Sequence, residues 1–331
     1  MLYNSIDKII NDNVFIKFHK FCEHIDVFLK IEGMNTGGSI KMKTAAALIQ
    51  DAIDNKGLNQ SKRFIESSSG NLGVALSVIA AAKRFHFICV VDKNTSRQNI
   101  KMMRALGTQI VIIEQKDDQG GYLANRLAYI KEAISNDPDL VWLNQYQNRS
   151  NPNIHAKMTA KSILNEFKKV DYLFIGAGTT GTLVGCAQYF HQHSPETKLI
   201  AVDSIGSITF GTPSQARYLP GLGSSIQPYF FQKHLVDRLI QVPETETITM
   251  CREIALRFGY VGGASTGTVL AAVKYMQKDI LKKQDATIVV ISPDLGTGYL
   301  DTVYNDEWCD QTYGSNWKTI NKEIKDIGYA R

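Results

Sequence analysis

Two lysines stand where a glycine turn runs into a helix. The stretch "MNTGGSIKMKTAA", from Met34, places Lys41 and Lys43 at that entrance. A helix N-terminus carries partial positive charge and favours anions. A lysine amine held there is a candidate reagent as well as a surface charge. Other helix entrances are rich in hydroxyls and glycine. "SSSGNLG" (Ser67 to Gly73) follows the strand-like run "RFIE". "GTTGT" (Gly178 to Thr182) follows "YLFIGA", and "GGASTG" (Gly262 to Gly267) follows "RFGYV". Glycines let a backbone approach a ligand closely, and the hydroxyls and open N–H groups can cradle an anion. Taken singly, each such loop also reads as a capped helix start.

No P-loop lysine is present, and the spacing is not that of a dinucleotide fingerprint, so the cradles fit a phosphate bound without metal. A reactive lysine combined with several phosphate-type cradles points to pyridoxal phosphate. That cofactor needs an amine for a Schiff base, a phosphate cradle, a partner for its ring nitrogen and a site for the substrate carboxylate. The chain offers a candidate for each.

The elements that must position these residues alternate along the chain. Apolar or β-branched runs read as strands at "VFLKIE", "RFIES", "HFICVVD", "TQIVIIE", "LVWLNQY", "YLFIGAG", "KLIAVDS", "LIQVPE" and "ATIVVISPD". Between them, "NLGVALSVIAAAKRF", "SRQNIKMMRALG", "YLANRLAYIKEAI" and "TMCREIALRFG" carry apolar residues at helical spacing. Alternation of this kind predicts an α/β fold, with largely parallel sheets flanked by helices. At 331 residues two open sheets are expected, with a boundary near "NQYQNRSNPN". Ligands of such sheets bind beyond the carboxyl ends of the strands, which is where the cradles lie.

The motifs "MNTGGSIK", "ESSSGNLG", "GAGTTGT", "LPGLGSS", "GGASTG" and "PDLGTGYL" occur in an order that resembles the cysteine synthase and cystathionine β-synthase group of fold-type II pyridoxal-phosphate enzymes. The resemblance runs from about Val27 to Tyr304. It implies a tryptophan synthase β-like fold with two open twisted sheets. The smaller domain would span 40–148 and carry the substrate-carboxylate loop. The larger, 1–39 with 149–331, would carry the phosphate cup. It further implies pyridoxal 5′-phosphate as cofactor, amino acids as substrates and a homodimer.

Matched residue by residue, Lys41 stands at the Schiff-base lysine and Asn71 beside the pyridine hydroxyl. Ser68, Ser69, Gly70 and Asn71 form the carboxylate clamp, and Gly178, Thr179, Thr180, Gly181 and Thr182 the phosphate cup. Ser265 stands at the ring nitrogen, where a neutral hydroxyl in place of a carboxylate implies an unprotonated ring. The stretches "DDQGGYLANRLA", "WLNQYQN", "AVDSIGSITFG" and "YLDTVYNDEW" resemble a subgroup that joins O-phospho-L-serine to L-glutamate. The product there is N-(2-amino-2-carboxyethyl)-L-glutamate, a precursor of 2,3-diaminopropionate for siderophores and related natural products. Arg126 and Tyr146 match positions serving the acidic substrates of that subgroup. A sulfur nucleophile and a catalytically silent homologue are the alternatives. The chain departs from the family at Met42 and Lys43, where Asp and Arg are usual, and at Gly298, where Arg is usual. "NDNVF" (Asn11 to Phe15) also replaces the usual Gly-x-Thr-Pro turn.

Bulk composition agrees with an enzyme of small molecules. The net charge of +5 is dispersed, with no basic stripe for nucleic acid. No apolar run reaches the roughly 20 residues of a membrane helix, and the N-terminus lacks a signal-peptide core. Five cysteines without C-x-x-C pairing read as buried thiols of a cytoplasmic protein. His191 and His193 are spaced i, i+2 on a helix and face apart, so no metal site is expected.

Overall fold

A computed structural model describes residues 2–117, 121–318 and 324–329. Its strands are β1 (Phe15–Cys22), β2 (Ile25–Ile31), β3 (Arg63–Ser67), β4 (His86–Asp92), β5 (Gln109–Ile113) and β6 (Leu140–Trp142). They continue as β7 (Tyr172–Gly176), β8 (Lys198–Ser204), β9 (Arg238–Val242), β10 (Ile288–Ser292) and β11 (Lys325–Tyr329). The helices are α1 (Lys41–Asn55), α2 (Asn71–Lys83), α3 (Arg97–Ala105), α4 (Leu123–Asn136), α5 (Ser150–Ile154) and α6 (Lys161–Glu166). After them come α7 (Gly181–His193), α8 (Glu244–Phe258), α9 (Ala264–Tyr275), α10 (Gln277–Ile280) and α11 (Asp306–Tyr313). His155–Ala160, between α5 and α6, is wound as a π-helix.

The chain divides into two compact units, 1–11 with 34–154 and 12–33 with 155–331. Residues 1–11 and 34–39 thus go with the first unit and not the second, and the later division falls six residues beyond the expected 148. The first unit holds a four-stranded sheet in the order β5-β4-β3-β6, parallel throughout. Parallel strands covered on both faces must be apolar along their length. β3 and β4 meet this, with Phe64, Ile65, Val90 and Val91 all buried. One face packs on Met42, Leu48 and Ile49 of α1 and on Leu72, Ala75 and Leu76 of α2, and the other on Ile130 of α4.

The second unit holds a seven-stranded sheet in the order β1-β2-β10-β7-β8-β9-β11. Its interior pairings are parallel. Both edges are antiparallel, β1 on β2 and β11 on β9. The core between sheet and helices is built from Val27, Leu29, Phe174, Val202, Ile240 and Val290, with Val269, Leu270 and Val273 of α9. Among the described residues no helix is long and apolar enough to cross a membrane, and no group of three or more His, Cys, Asp or Glu could hold a metal ion. All five cysteines are buried thiols outside any disulfide. Burial pushes the Cys89 and Cys251 thiols up to about 12, far from thiolate chemistry.

Candidate active site

In the first unit the expected residues sit at helix entrances and strand ends. Lys41 is the first residue of α1, and its backbone N–H meets Ser39 Oγ at 3.3 Å. It is partly exposed, whereas Met42 and Lys43 are fully buried. The two lysines of the entrance are therefore not equivalent. Met42 packs where a side chain on Gly37 would have to go.

The 68–71 loop joins β3 to α2. Ser68 Oγ accepts the Gly73 N–H at 2.9 Å and the Gly70 N–H at 3.4 Å, so this hydroxyl organises the loop from within. Gly73 admits no side chain, because a Cβ would press on Met103, Cys89 and the Ser68 carbonyl. Ser69, Gly70 and Asn71 remain partly exposed at the loop's rim.

Behind the loop lies a buried carboxylate that the motif reading did not single out. Glu66 accepts the Ser67 N–H at 2.8 Å and the Gln145 N–H at 3.1 Å. Gln145 Nε2 returns a bond to the Ser67 carbonyl at 2.7 Å. Asn151 Nδ2 donates to the Gln145 carbonyl at 2.9 Å, and Thr44 Oγ1 donates to Asn151 Oδ1 at 3.3 Å. A polar chain therefore runs from the carboxylate loop to the helix that Lys41 opens. Burial raises the Glu66 carboxyl to about 7, against the pull of those two N–H groups. The signal in the sequence is an acid at the end of an otherwise apolar strand.

Arg126, on α4, is 8% exposed. Its Nη1 lies 3.6 Å from Asp92 Oδ2, at the end of β4. Neither its Nε nor its Nη1 has a hydrogen-bond partner among the described residues, and the same is true of Ser67 Oγ and Tyr122 Oη. Tyr146 Oη reaches the Ser67 carbonyl at 3.5 Å. Burial raises its phenol pKa, offset in part by the Arg126 charge. Buried donors without acceptors are costly, so a site lined by them is suited to an anionic group from outside the chain. Of "DDQGGYLANRLA", residues 118–120 lie outside the described residues.

In the second unit four motifs converge. The loop after β7 runs through Gly178, Thr179 and Thr180 into α7, which begins at Gly181. Thr180 caps α7 with φ +67°, a left-handed conformation that costs a β-branched residue roughly 1–2 kcal/mol. Thr179 Oγ1 and Thr180 Oγ1 are buried without a hydrogen-bond partner. Thr182 Oγ1 lies 3.3 Å from His155 Nε2, and His155 Nδ1 lies 3.0 Å from Thr159 Oγ1. His155 opens the π-helical stretch, an irregularity often found at functional sites. The "LPGLGSS" loop backs onto this turn, with the Gly223 N–H donating to the Ala177 carbonyl at 2.8 Å. A Cβ on Gly178 would come within 3.1 Å of the Gly221 carbonyl, and one on Gly221 within 3.7 Å of Ser265 Cβ and 3.6 Å of Tyr299 Oη.

Over residues 13–294 the chain matches the family model described as "Pyridoxal-phosphate dependent enzyme". The chain belongs to that family. The residues present fit its cofactor. The orphaned hydroxyls of Thr179 and Thr180, with the open N–H groups at the start of α7, supply donors for a phosphate. Side chains at Gly178 or Gly221 would narrow the space beside them. Lys41 is an amine at a helix entrance.

Solved structures of the fold are closely similar. O-ureido-L-serine synthase superposes with a TM-score of 0.84 at 26% identity, covering 93% of this chain and 99% of that one. The O-acetylserine dependent cystathionine β-synthase from Helicobacter pylori gives 0.84 at 25%, covering 92% and 100%. A hydrogen sulfide-producing enzyme from Fusobacterium nucleatum gives 0.84 at 28%, covering 90% and 100%. The α/β fold-type II architecture and the cofactor expected from the motifs are both found.

Proposed function

We propose that this pyridoxal-phosphate enzyme catalyses β-replacement on O-phospho-L-serine, with the amine of L-glutamate as nucleophile. The C–O bond to phosphate breaks, a C–N bond forms at Cβ, and N-(2-amino-2-carboxyethyl)-L-glutamate results, a precursor of 2,3-diaminopropionate. The observation that carries this reading is the buried Arg126 guanidinium, with Nε and Nη1 lacking hydrogen-bond partners, alongside the orphaned Ser67 and Tyr122 hydroxyls. A sulfide nucleophile has no use for a guanidinium, whereas a dicarboxylate or a phosphate leaving group does.

Pyridoxal phosphate, when bound, supplies the electron-withdrawing ring that acidifies the α-carbon of an amino acid. The chain's own residues do the rest. Lys41 carries the amine that holds the cofactor and takes the α-proton. The loop of Ser68, Ser69, Gly70 and Asn71 clamps the α-carboxylate. Gly178 to Thr182 hold the phosphate, and Ser265 meets the ring nitrogen. Arg126 and Tyr146 receive the acidic groups of the substrates. The carboxylate clamp would thus belong to the first unit and the phosphate cup to the second, in a homodimer.

A sulfur nucleophile is the second reading, favoured by the likeness to the cystathionine β-synthase and hydrogen sulfide-producing structures. Purified enzyme supplied with O-phosphoserine and either glutamate or sulfide separates the two by mass spectrometry. The glutamate adduct is expected. Product from sulfide with none from glutamate would sink the first reading.

A further inference from the structure

The "LPGLGSS" loop that backs the 178–182 turn hangs from a carboxylate to which the motifs give no role. Glu244 is the first residue of α8. Its Oε1 accepts the Leu219 N–H at 2.8 Å and the Tyr218 N–H at 2.9 Å. Its Oε2 lies 3.0 Å from the same Tyr218 nitrogen and accepts the Tyr313 hydroxyl, from α11, at 2.9 Å. Burial first, and then the Glu244 charge, pushes the Tyr313 phenol up, so it stays a donor. The carboxylate also stands at the positive end of a helix, which favours its charge. Leu219 itself is buried in one cluster with Ile248 of α8 and Ala264 of α9.

From this anchor the chain reaches the turn within a few residues. Arg217 Nη1 donates to the Leu222 carbonyl at 2.8 Å and folds the loop onto itself. Gly221 and Gly223 turn it twice, at φ +107° and +79°. Leu222 then fills the space that a Cβ on Gly176 would need, and the Gly221 carbonyl faces Gly178. The 219–223 segment is therefore the floor under residues 176–178. Glycines give that floor little side-chain packing of its own, so backbone bonds must hold it.

We propose that Glu244 is a positioning residue for the phosphate cup: by fixing the Tyr218 and Leu219 N–H groups it sets how closely the 219–223 floor presses on residues 176–178, and so the width of the anion cradle before α7. This rests on the reading that Gly178 to Thr182 hold the phosphate. Reach matters here more than charge. Both N–H groups converge on Oε1, so an amide oxygen can receive them while its NH2 turns to the Tyr313 oxygen. A side chain one methylene shorter keeps the charge and draws the acceptor away.

The test reads the phosphate directly, by 31P NMR of holoenzyme loaded with pyridoxal phosphate, alongside a fluorescence titration of cofactor affinity. Glu244→Gln is expected at the wild-type resonance. Glu244→Asp is expected to displace the resonance and to weaken affinity about tenfold, the scale of a lost charged hydrogen bond. Tyr313→Phe removes a bond from the carboxylate but none from the loop, and should lower thermal stability with the resonance unmoved. A displaced resonance in Glu244→Gln, or an unmoved one in Glu244→Asp, overturns the proposal. Thr179→Val tests the underlying reading separately, since an unmoved resonance there removes the cup from the phosphate. A shift in Thr179→Val beside an unmoved Glu244→Asp removes only the role of Glu244.

Discussion

The carboxylate of Glu66 bonds the backbone N–H of Gln145 at 3.1 Å and so ties the end of β3 to the turn that follows β6. Its other oxygen holds the Ser67 N–H, at the root of the 68–71 loop. Burial raises this carboxyl from its ordinary 4.5 to about 7. The folded state therefore keeps a proton that the unfolded chain releases. The resulting stability is complete below pH 4.5 and is lost as pH rises toward 7, a span worth on the order of 3 kcal/mol. Chemical denaturation at a series of pH values should show this fall, and Glu66→Gln should flatten it. An unaltered slope in the variant would remove Glu66 as its source.

Lys41 and Lys43 should separate cleanly by chemistry. Borohydride reduction of the holoenzyme, followed by peptide mass spectrometry, should place the cofactor's mass on Lys41 alone. Lys43 is fully buried at the same helix entrance, so Lys43→Ala should lower thermal stability while leaving covalent attachment intact. Attachment at Lys43, or its survival in Lys41→Ala, would reverse the assignment.

Thr180 is conformationally strained, and its buried hydroxyl has no hydrogen-bond partner among the described residues. Thr180→Gly relieves the left-handed strain and removes the orphaned hydroxyl. The cofactor-free protein should gain about 1 kcal/mol, while cofactor affinity falls about tenfold for one lost phosphate bond. Calorimetry of the apo form and a fluorescence titration read the two effects separately. Equal losses in both would mean that the hydroxyl serves the fold and not the phosphate.

Arg126→Gln should raise KM for the acidic substrate by about tenfold or more, the scale of one charged hydrogen bond, with a smaller change in kcat. It also leaves Asp92 without its cation, so a stability measurement must accompany the kinetics. Arg126→Lys keeps the charge but not the planar fork, and should recover only part of the loss. Unchanged KM in both variants would count against the anion subsite.

The fold was legible where strands are sheathed in helices and illegible at the two antiparallel rims of the larger sheet. "HFICVVD" and "YLFIGAG" are apolar nearly throughout and became β4 and β7. β1, "FIKFHKFC", and β11, "KDIGY", carry charge because each lies at an edge, and no apolar run announces them. "LVWLNQY" yields only three strand residues, since the chain turns at Asn144 with φ +56°. The cradles at the ends of β3 and β7 were readable from glycines and hydroxyls standing just beyond apolar runs. The partners of Glu66 and Asp92 were not, because Gln145 and Arg126 lie far along the chain and local pattern records only neighbours.

The hairpin of β1 and β2 is made early, yet the parallel partner of β2 is β10, with Val27 opposite Ile288. Residues 1–11 and 34–154 form the first unit, and all of them are synthesised before that partner exists. Since domains generally fold as units and N-terminal ones first during synthesis, the first unit can close around its own sheet while the hairpin waits. Loop closure over so long a span is slow. The edge of β2 that meets β10 thus lacks its parallel partner until residues 288–292 have been translated.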